Sequence, residues 1–453
     1  MKRSTAAPTN PEDKLDFGRI LPVFVIVLID LLGISIIIPL VSLYAASFGA
    51  NALMIGLLSA AYPIMQFIFA PILGRLSDRF GRKPVLVVSQ IGSLIGFLVM
   101  GFAASLPVLF LARIIDGISG GNISTAQAVI TDSTNERNRT QALGLIGAAF
   151  GLGFTVGPII AYAVLAITGG NYHAVAFVAA AFSFFSILLT TFWLKESHPK
   201  EKRGTDHKPL ISLDAISQAL RKPQIGTLLT LMFMAQFVFG GLEYLLSLFT
   251  LNRLGMDASG NALLFVFIGL ITIVVLGGMI GRWSKTYGDR KVILAGLIAL
   301  GVGMILIALT PTQPPPGYNR ADTIARLQSN AGASAVDQAK LNVELPPDTN
   351  TGYLGVLWIF AAMIPAAVGG GILSPTINSA ITKRSNPQEV GGMLGISASM
   401  SSAANAITPI VGVAMFQFFG STVAFLVGGI LLLVLFFFTQ RSIQPPPQVT
   451  AAA

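Results

Sequence analysis

The sequence predicts an all-α integral membrane protein of twelve transmembrane helices, arranged as two pseudo-symmetric six-helix halves. Three observations predict it. The 453 residues are 53% hydrophobic and 11% charged, whereas a soluble domain carries about 25% charged residues. Apolar runs near the ~20 residues needed to cross a bilayer recur along the whole chain. A densely charged stretch, Gly74-Arg-Leu-Ser-Asp-Arg-Phe-Gly-Arg-Lys-Pro-Val-Leu86, returns 207 residues later as Gly281–Leu294, each time between apolar runs.

Taken in order, residues 1–19 form a polar tail of mixed charge. The run from Ile20 to Ala46 is longer than the hydrophobic segment of a cleavable signal and is read as the first span. First-half spans are expected at about 20–46, 52–73, 85–104, 107–131, 140–167 and 173–194, making a half of residues 20–194. A basic, polar linker follows over 195–224. Second-half spans are expected at about 225–251, 261–280, 291–310, 353–382, 390–416 and 420–440, making a half of 225–440, with a tail over 441–453. Leu143-Gly144 recurs as Leu394-Gly395, Ile130-Thr131 as Ile381-Thr382, and Pro158 as Pro409, all at an offset of 251. The change of offset from 207 to 251 marks an insertion between spans nine and ten, Pro311–Gly352. It is rich in Pro, Asn, Ala and Asp, and is expected to be a mostly flexible loop with a short helix around Ala321–Gln338.

Charge orients the chain. An even number of spans puts both termini on one side. Of the 29 Lys and Arg residues, 24 fall in the tails and the loops of that side, and only Arg253, Arg320, Arg326 and Lys340 fall on the other. Both ends are therefore expected in the cytoplasm, with the insertion outside. The net charge of +9 does not signal nucleic acid, because the basic residues lie in short loops and not on one face. There is no cysteine, and His173, His198 and His207 lack ligand spacing, so neither a disulfide nor a metal is expected. No nucleophile elbow, phosphate loop or other catalytic constellation is present. The expectation is a non-enzyme without a cofactor, in the inner membrane, acting as a monomer on a small-molecule substrate and protons.

The charged stretch Gly74–Leu86 resembles the signature loop between spans two and three of the major facilitator superfamily, in the form found in drug and tetracycline proton antiporters. Three further stretches agree. Leu111-Ala-Arg113-Ile-Ile-Asp116-Gly117 resembles the fourth-span motif with its intramembrane arginine. Gly151-Leu-Gly153-Phe-Thr-Val-Gly157-Pro158 resembles the fifth-span motif of exporters. Leu194-Lys-Glu196-Ser-His198-Pro199 resembles the end of span six in tetracycline exporters.

Each motif has a physical reading. Gly74 lets helix ends approach closely and Gly81 permits a tight reversal, while Arg82 and Lys83 suit lipid headgroups. The resemblance implies that Asp78 caps the start of span eleven near Val390-Gly391-Gly392, as a gate latch, and that Arg79 meets Asp132 at the end of span four. In the second copy Lys285 replaces Asp78, so the latch is expected to be one-sided. Gly151, Gly157 and Pro158 are helix-packing residues, with Pro158 removing a backbone donor.

Within the spans four formal charges stand out: Asp30, Arg113, Asp116 and Glu243. Near the midplane each costs on the order of 2.5–3.5 kcal/mol, and so requires a partner, a watery cavity or a function. Asp30 is either a paired structural carboxylate or the acceptor of a proton or substrate cation. Arg113 and Asp116, spaced i,i+3, share a helix face and can neutralise each other. The resemblance instead implies that Arg113 tunes the coupling carboxylate. The repeat maps Asp30 onto Gly240, so Glu243 is expected about one turn from the symmetry partner, facing Asp30 across the pseudo-two-fold axis. Asn122, Gln127, Gln236, Tyr244 and Asn405 are polar residues within spans, able to orient a substrate or simply to bond between helices. These readings combine into a proton-coupled antiporter that exports hydrophobic or cationic drugs. The alternative is a proton-coupled symporter or uniporter for a small metabolite on the same fold. Tetracycline exporters also carry an acid in span three, and Val85–Phe102 has none.

Overall fold

The computed structural model describes residues 17–120, 122–134, 136–198, 213–330, 344–385 and 389–443. Within them the chain is helical almost throughout. The first half comprises α1 (Phe17–Ser47), α2 (Ala52–Phe80), α3 (Arg82–Gly101), α4 (Leu106–Ser119), α5 (Asn122–Asp132), α6 (Glu136–Thr168) and α7 (Tyr172–Phe192). A short α8 (Leu213–Arg221) lies in the linker. The second half comprises α9 (Ile225–Leu254), α10 (Ala258–Val274), a π-helical turn Val275–Met279, α11 (Ile280–Tyr287), α12 (Asp289–Ala308), α13 (Arg320–Ser329), α14 (Leu354–Thr382), α15 (Val390–Phe419) and α16 (Ser421–Ser442).

Ten of these helices are long and apolar enough to cross a membrane. The remaining two spans are interrupted. Span four is α4 plus α5, with Gly120 in a turn after α4. Span eight is α10 plus α11, joined by the π turn at Gly277-Gly278. Twelve spans in two sixes result, as the hydropathy pattern predicts.

Span ends differ from the apolar runs where charge continues a helix. The stretch Gly74–Leu86 is not a loop. Its first seven residues are the last two turns of α2, Gly81 alone makes the reversal at φ 104°, and α3 starts at Arg82. A positive φ of this kind is what glycine adopts without a steric penalty.

Packing between the halves runs along span five. Gly153 and Gly157 face α1, where an added Cβ would stand 2.9 Å from the Leu31 Cβ and 2.8 Å from the Ser35 Cβ. Ser35 Oγ donates to the Gly153 carbonyl at 2.8 Å. Gly151 and Thr155 face the other half instead. Thr155 Oγ1 donates to the Gly269 carbonyl of α10 at 3.2 Å, and the atom nearest a Cβ on Gly151 is Leu276 Cδ1 at 3.8 Å.

We call the side bearing Phe17 and Ile443 the terminal face, and the other the opposite face. At the opposite face the halves are joined. Ser42 Oγ of α1 donates to the Tyr244 carbonyl of α9, and Ser247 Oγ of α9 donates to the Pro39 carbonyl of α1. Toward the terminal face, Gly278, Gly281, Gly392 and Gly395 have no neighbour within 4 Å of a Cβ, and no residue of α11 is buried.

The insertion is more ordered than a flexible loop. Its expected helix is present as α13, shorter than Ala321–Gln338; residues 331–343 lie outside the described ones. Leu327 of α13 is buried in the main core, and Asn330 Oδ1 accepts the first N–H of α7, from Tyr172, at 2.9 Å. The insertion thus belongs to the second half by sequence and touches the first half in space. Its composition misled because two isolated buried leucines, Leu327 and Leu345, and capping asparagines leave no apolar period.

Close approach at Gly157 yields a test. Gly157→Ala should lower the stability of the detergent-purified protein by about 1–3 kcal/mol, since the methyl meets the Cβ of Ser35 and its neighbouring backbone. Gly151→Ala, in open contact with Leu276, should leave the thermal unfolding midpoint unchanged.

Candidate functional site

Asp30 projects from α1 into a cavity shared with Val27, Leu31, Ile34, Leu86, Asn122 and Ala126. Its Oδ2 accepts two hydrogen bonds, from Asn122 Nδ2 at 2.8 Å and from Gln90 Nε2 at 3.2 Å. Gln90 is itself held in place. Its Nε2 also reaches Ser186 Oγ of α7 at 2.8 Å, and its carbonyl accepts from Ser183 Oγ. The break in span four is what delivers Asn122, since α5 begins there. At the break, the Gly120 carbonyl is taken by Gln66 Nε2 of α2 at 2.7 Å. Gln66 also bonds the Tyr62 hydroxyl.

One helix layer away, Arg113 Nη1 lies 3.2 Å from Asp116 Oδ2, and both side chains are buried. The Arg113 guanidinium sits over the Tyr62 ring, 4.6 Å from its centroid. A cation on an aromatic face gains electrostatic attraction beyond the ion pair itself. Gly96 of α3 packs directly against Asp116, leaving no room there for a span-three side chain. Gln90 Oε1, Asn122 Oδ1 and Arg113 Nε are buried without a hydrogen-bond partner among the described residues. Such atoms cost about 1–3 kcal/mol each, a burden consistent with a site that takes a polar ligand.

The two carboxylates of the first half are therefore answered differently. Asp116 has its countercharge in Arg113, so the mutual-neutralisation reading of this i,i+3 pair holds. Asp30 has only uncharged donors, the amides of Asn122 and Gln90 and the Ser186 hydroxyl.

Glu243 does not face Asp30. Its neighbour Tyr244 meets Ser42, which is twelve residues beyond Asp30 on α1, a rise of about 18 Å. The repeat alignment placed the two acids about a turn apart in register. The joined opposite face instead holds Glu243 near the far end of α1, because α1 and α9 cross there. Of the other polar residues, Gln236 Nε2 bonds Asn405 Oδ1 at 3.1 Å, and the Gln127 carbonyl accepts from Thr131.

At the terminal face the charged stretch is organised around Arg82, which is buried and not turned to headgroups. Its Nη1 lies 2.5 Å from Asp78 Oδ1 and 2.7 Å from Ser77 Oγ, and its Nε donates to Asp132 Oδ2 at 3.0 Å. Asp132 thus meets Arg82, whereas Arg79 lies against the Phe80 ring. Asp78 is half exposed, and the partner it has is Arg82 one turn on, in place of the expected start of α15. Glu196 supplies the cap that Gly81 lacks. Its Oε1 and Oε2 accept the Arg82 and Lys83 N–H groups at 3.0 and 3.3 Å. A carboxylate at the first N–H groups of a helix satisfies orphan donors and complements the dipole.

The second half repeats this cluster with the charges exchanged. At the repeat offsets Arg82 becomes Asp289 and Asp132 becomes Lys383, and these again pair, at 2.8 Å. Ser284 takes the place of Ser77 and bonds Asp289, while Ser379 donates to the same carboxylate at 3.0 Å. Sequence reading identified the lost acid at Lys285 but missed this exchange. It also missed Gln66, Gln90 and Tyr62, although it singled out other uncharged polar residues within spans. A glutamine in the middle of an apolar run was the available signal.

Comparison with known proteins follows from this geometry. The sequence profile of the Major Facilitator Superfamily matches residues 23–325 and 350–453. A class B tetracycline resistance protein from Escherichia coli is 27% identical over 391 residues, covering 85% of this chain and 86% of its own. A class D tetracycline resistance protein from Salmonella ordonez is 32% identical over 346 residues, covering 74% and 86%. Among solved structures, the human organic anion transporter MFSD10 (TETRAN) superposes with a TM-score of 0.59 at 22% identity, over 95% of this chain and all of that one. The nucleoside transporter NupG reaches 0.67 at 14% identity, over 93% and 98%.

The two clusters differ in burial, and this sets their expected weight. Arg82→Ala strands three partners around a buried position and should cost about 2–4 kcal/mol. Lys383→Ala removes a cation whose side chain is 58% exposed and leaves the buried Asp289 two hydroxyl donors, so it should cost less, about 1–2 kcal/mol. Thermal unfolding of the two purified variants measures the contrast.

Proposed function

The chain belongs to the Major Facilitator Superfamily, and on that footing we propose that it is a proton-coupled antiporter exporting hydrophobic or cationic drugs across the cytoplasmic membrane. One observation carries the reading. Asp30 is a carboxylate inside a spanning helix whose partners are Asn122, Gln90 and Ser186, all uncharged. Arg113 is engaged by Asp116. The positive charge that Asp30 requires must come from a proton or a cationic substrate.

If the two bind exclusively, loading one releases the other. Rocking of the halves around a site at their interface then carries each in opposite directions. A proton crossing ~100 mV supplies roughly 2.3 kcal/mol to this exchange. The halves are joined at the opposite face, so the state described here presents Asp30 toward the terminal face. The excess of basic residues assigns that face to the cytoplasm. Asp78, Arg79, Arg82 and Asp132 would then act as the cytoplasmic gate, with Gly74 and Gly81 as its close approach and turn. In this reading Asp78 and the start of α15 come together only in the alternate state. The relatives named tetracycline resistance proteins support export of an antibiotic. The packing of Gly96 on Asp116 leaves span three without the acid that the resemblance expects for tetracycline itself. A single chain contains the whole site, which supports a monomer.

Asp30→Asn keeps size and hydrogen bonding but cannot exchange a proton. In proteoliposomes it should abolish uphill export driven by a pH gradient while downhill substrate flux persists. Persistent uphill export would remove Asp30 from the coupling. Protons moving with the substrate would select the symporter. Orientation has its own check: protease added outside intact cells should cut within 311–352 and leave two membrane-held fragments.

A further inference from the structure

Glu243 is a half-buried carboxylate on α9 with no hydrogen bond or ion pair among the described residues. Asp30 and Asp116 are both answered by protein groups, so the exception calls for a reason. Where Glu243 points follows from its helix. Gln236, Glu243 and Ser247 stand at i, i+7 and i+11, within about 40° of one another around the axis. Ser247 bonds the Pro39 carbonyl of α1, so this face is turned toward the first half. Along it, Gln236 donates to Asn405 Oδ1 of α15. Gly240, lying between, lets α15 approach so closely that a Cβ there would stand 3.0 Å from Asn405 Oδ1. That single bond leaves the Asn405 amide N–H groups and the Gln236 Oε1 without protein partners among the described residues. Gln236 also borders a cavity with Met232, Phe239 and Leu373.

We propose that this face of α9 is a second ligand subsite, distinct from Asp30. Glu243 takes a protonated or quaternary amine. The Gln236–Asn405 pair, about 10 Å nearer the terminal face, takes a neutral hydrogen-bonding group such as an amide. Lying about 18 Å from Asp30 along α1, Glu243 cannot share a proton or a single ammonium with it. The two acids select elongated organic cations, and a dication can engage both. The inference rests on the export reading above and deepens it by naming the substrate class.

Equilibrium binding to the purified protein, without a proton gradient, tests it apart from coupling. The probes are decamethonium, a bis-quaternary amine on a ten-carbon chain, and the monocation decyltrimethylammonium. Wild type should bind the dication about tenfold more tightly. Glu243→Gln, which conserves shape, should erase that preference while leaving the monocation unaffected, and Glu243→Asp should retain most of it. Asn405→Leu should leave both probes unchanged but weaken procainamide, an amine bearing an amide, by about fivefold. A preference that survives in Glu243→Gln overturns the subsite alone. If wild type binds neither quaternary amine, the subsite and the cation-export reading fall together. If Glu243→Gln keeps the preference and loses only proton-driven transport, Glu243 is a coupling residue and the subsite is again overturned.

Discussion

Charge inside an apolar bundle must be answered by another group, and the structure of this transporter turns on how each charge is answered. Asp116 meets Arg113 at 3.2 Å, and Arg113 in turn lies over Tyr62. Asp30 meets only neutral groups, Asn122, Gln90 and Ser186. Neutral donors orient a carboxylate without cancelling its charge. Much of the first half serves that arrangement. The interruption of span four brings Asn122 to the site, Gln66 takes the carbonyl the interruption frees, and Ser186 steadies Gln90.

The same requirement shapes the terminal face at lower stakes. Arg82 is buried at the start of α3 because Asp78, Asp132 and Ser77 surround it, and Glu196 caps the helix it begins. The second half reaches an equivalent fold with Asp289 and Lys383 in exchanged positions. Electrostatic pairing is indifferent to which partner carries which sign, so a duplicated pair can exchange its charges and still tie the same helices. The motif residues that remain unlike, Asp78 against Lys285, are then the ones left to distinguish the halves.

Span five packs on both halves. Gly153 and Gly157 seat α6 on α1 within its own half, and Thr155 meets span eight as closely at Gly269, while only Gly151 has open room there. Helices that interdigitate at glycine resist sliding, since a packed interface has few alternative registers. The α13 contact to α7 adds a link across the opposite face that the repeat gives no reason to expect, because the insertion has no counterpart in the first half.

What the sequence determined by itself is what adds up along a chain. Hydropathy summed over windows of about twenty residues locates the spans, and the recurrence of Gly74–Leu86 at Gly281–Leu294 divides them into halves. A charge embedded in such a window, as at Asp30 or Glu243, marks itself without any structure. Tertiary structure decided which charge meets which. Arg82 and not Arg79 reaches Asp132, and Glu243 lies about three turns along α1 from Asp30 instead of opposite it. Those outcomes depend on helix rotation, tilt and crossing point. An error of one residue turns a side chain by about 100°, and no one-dimensional pattern carries that information. Gln66, Gln90 and Tyr62 show their roles only through neighbours at hydrogen-bond distance, which a one-dimensional pattern does not contain.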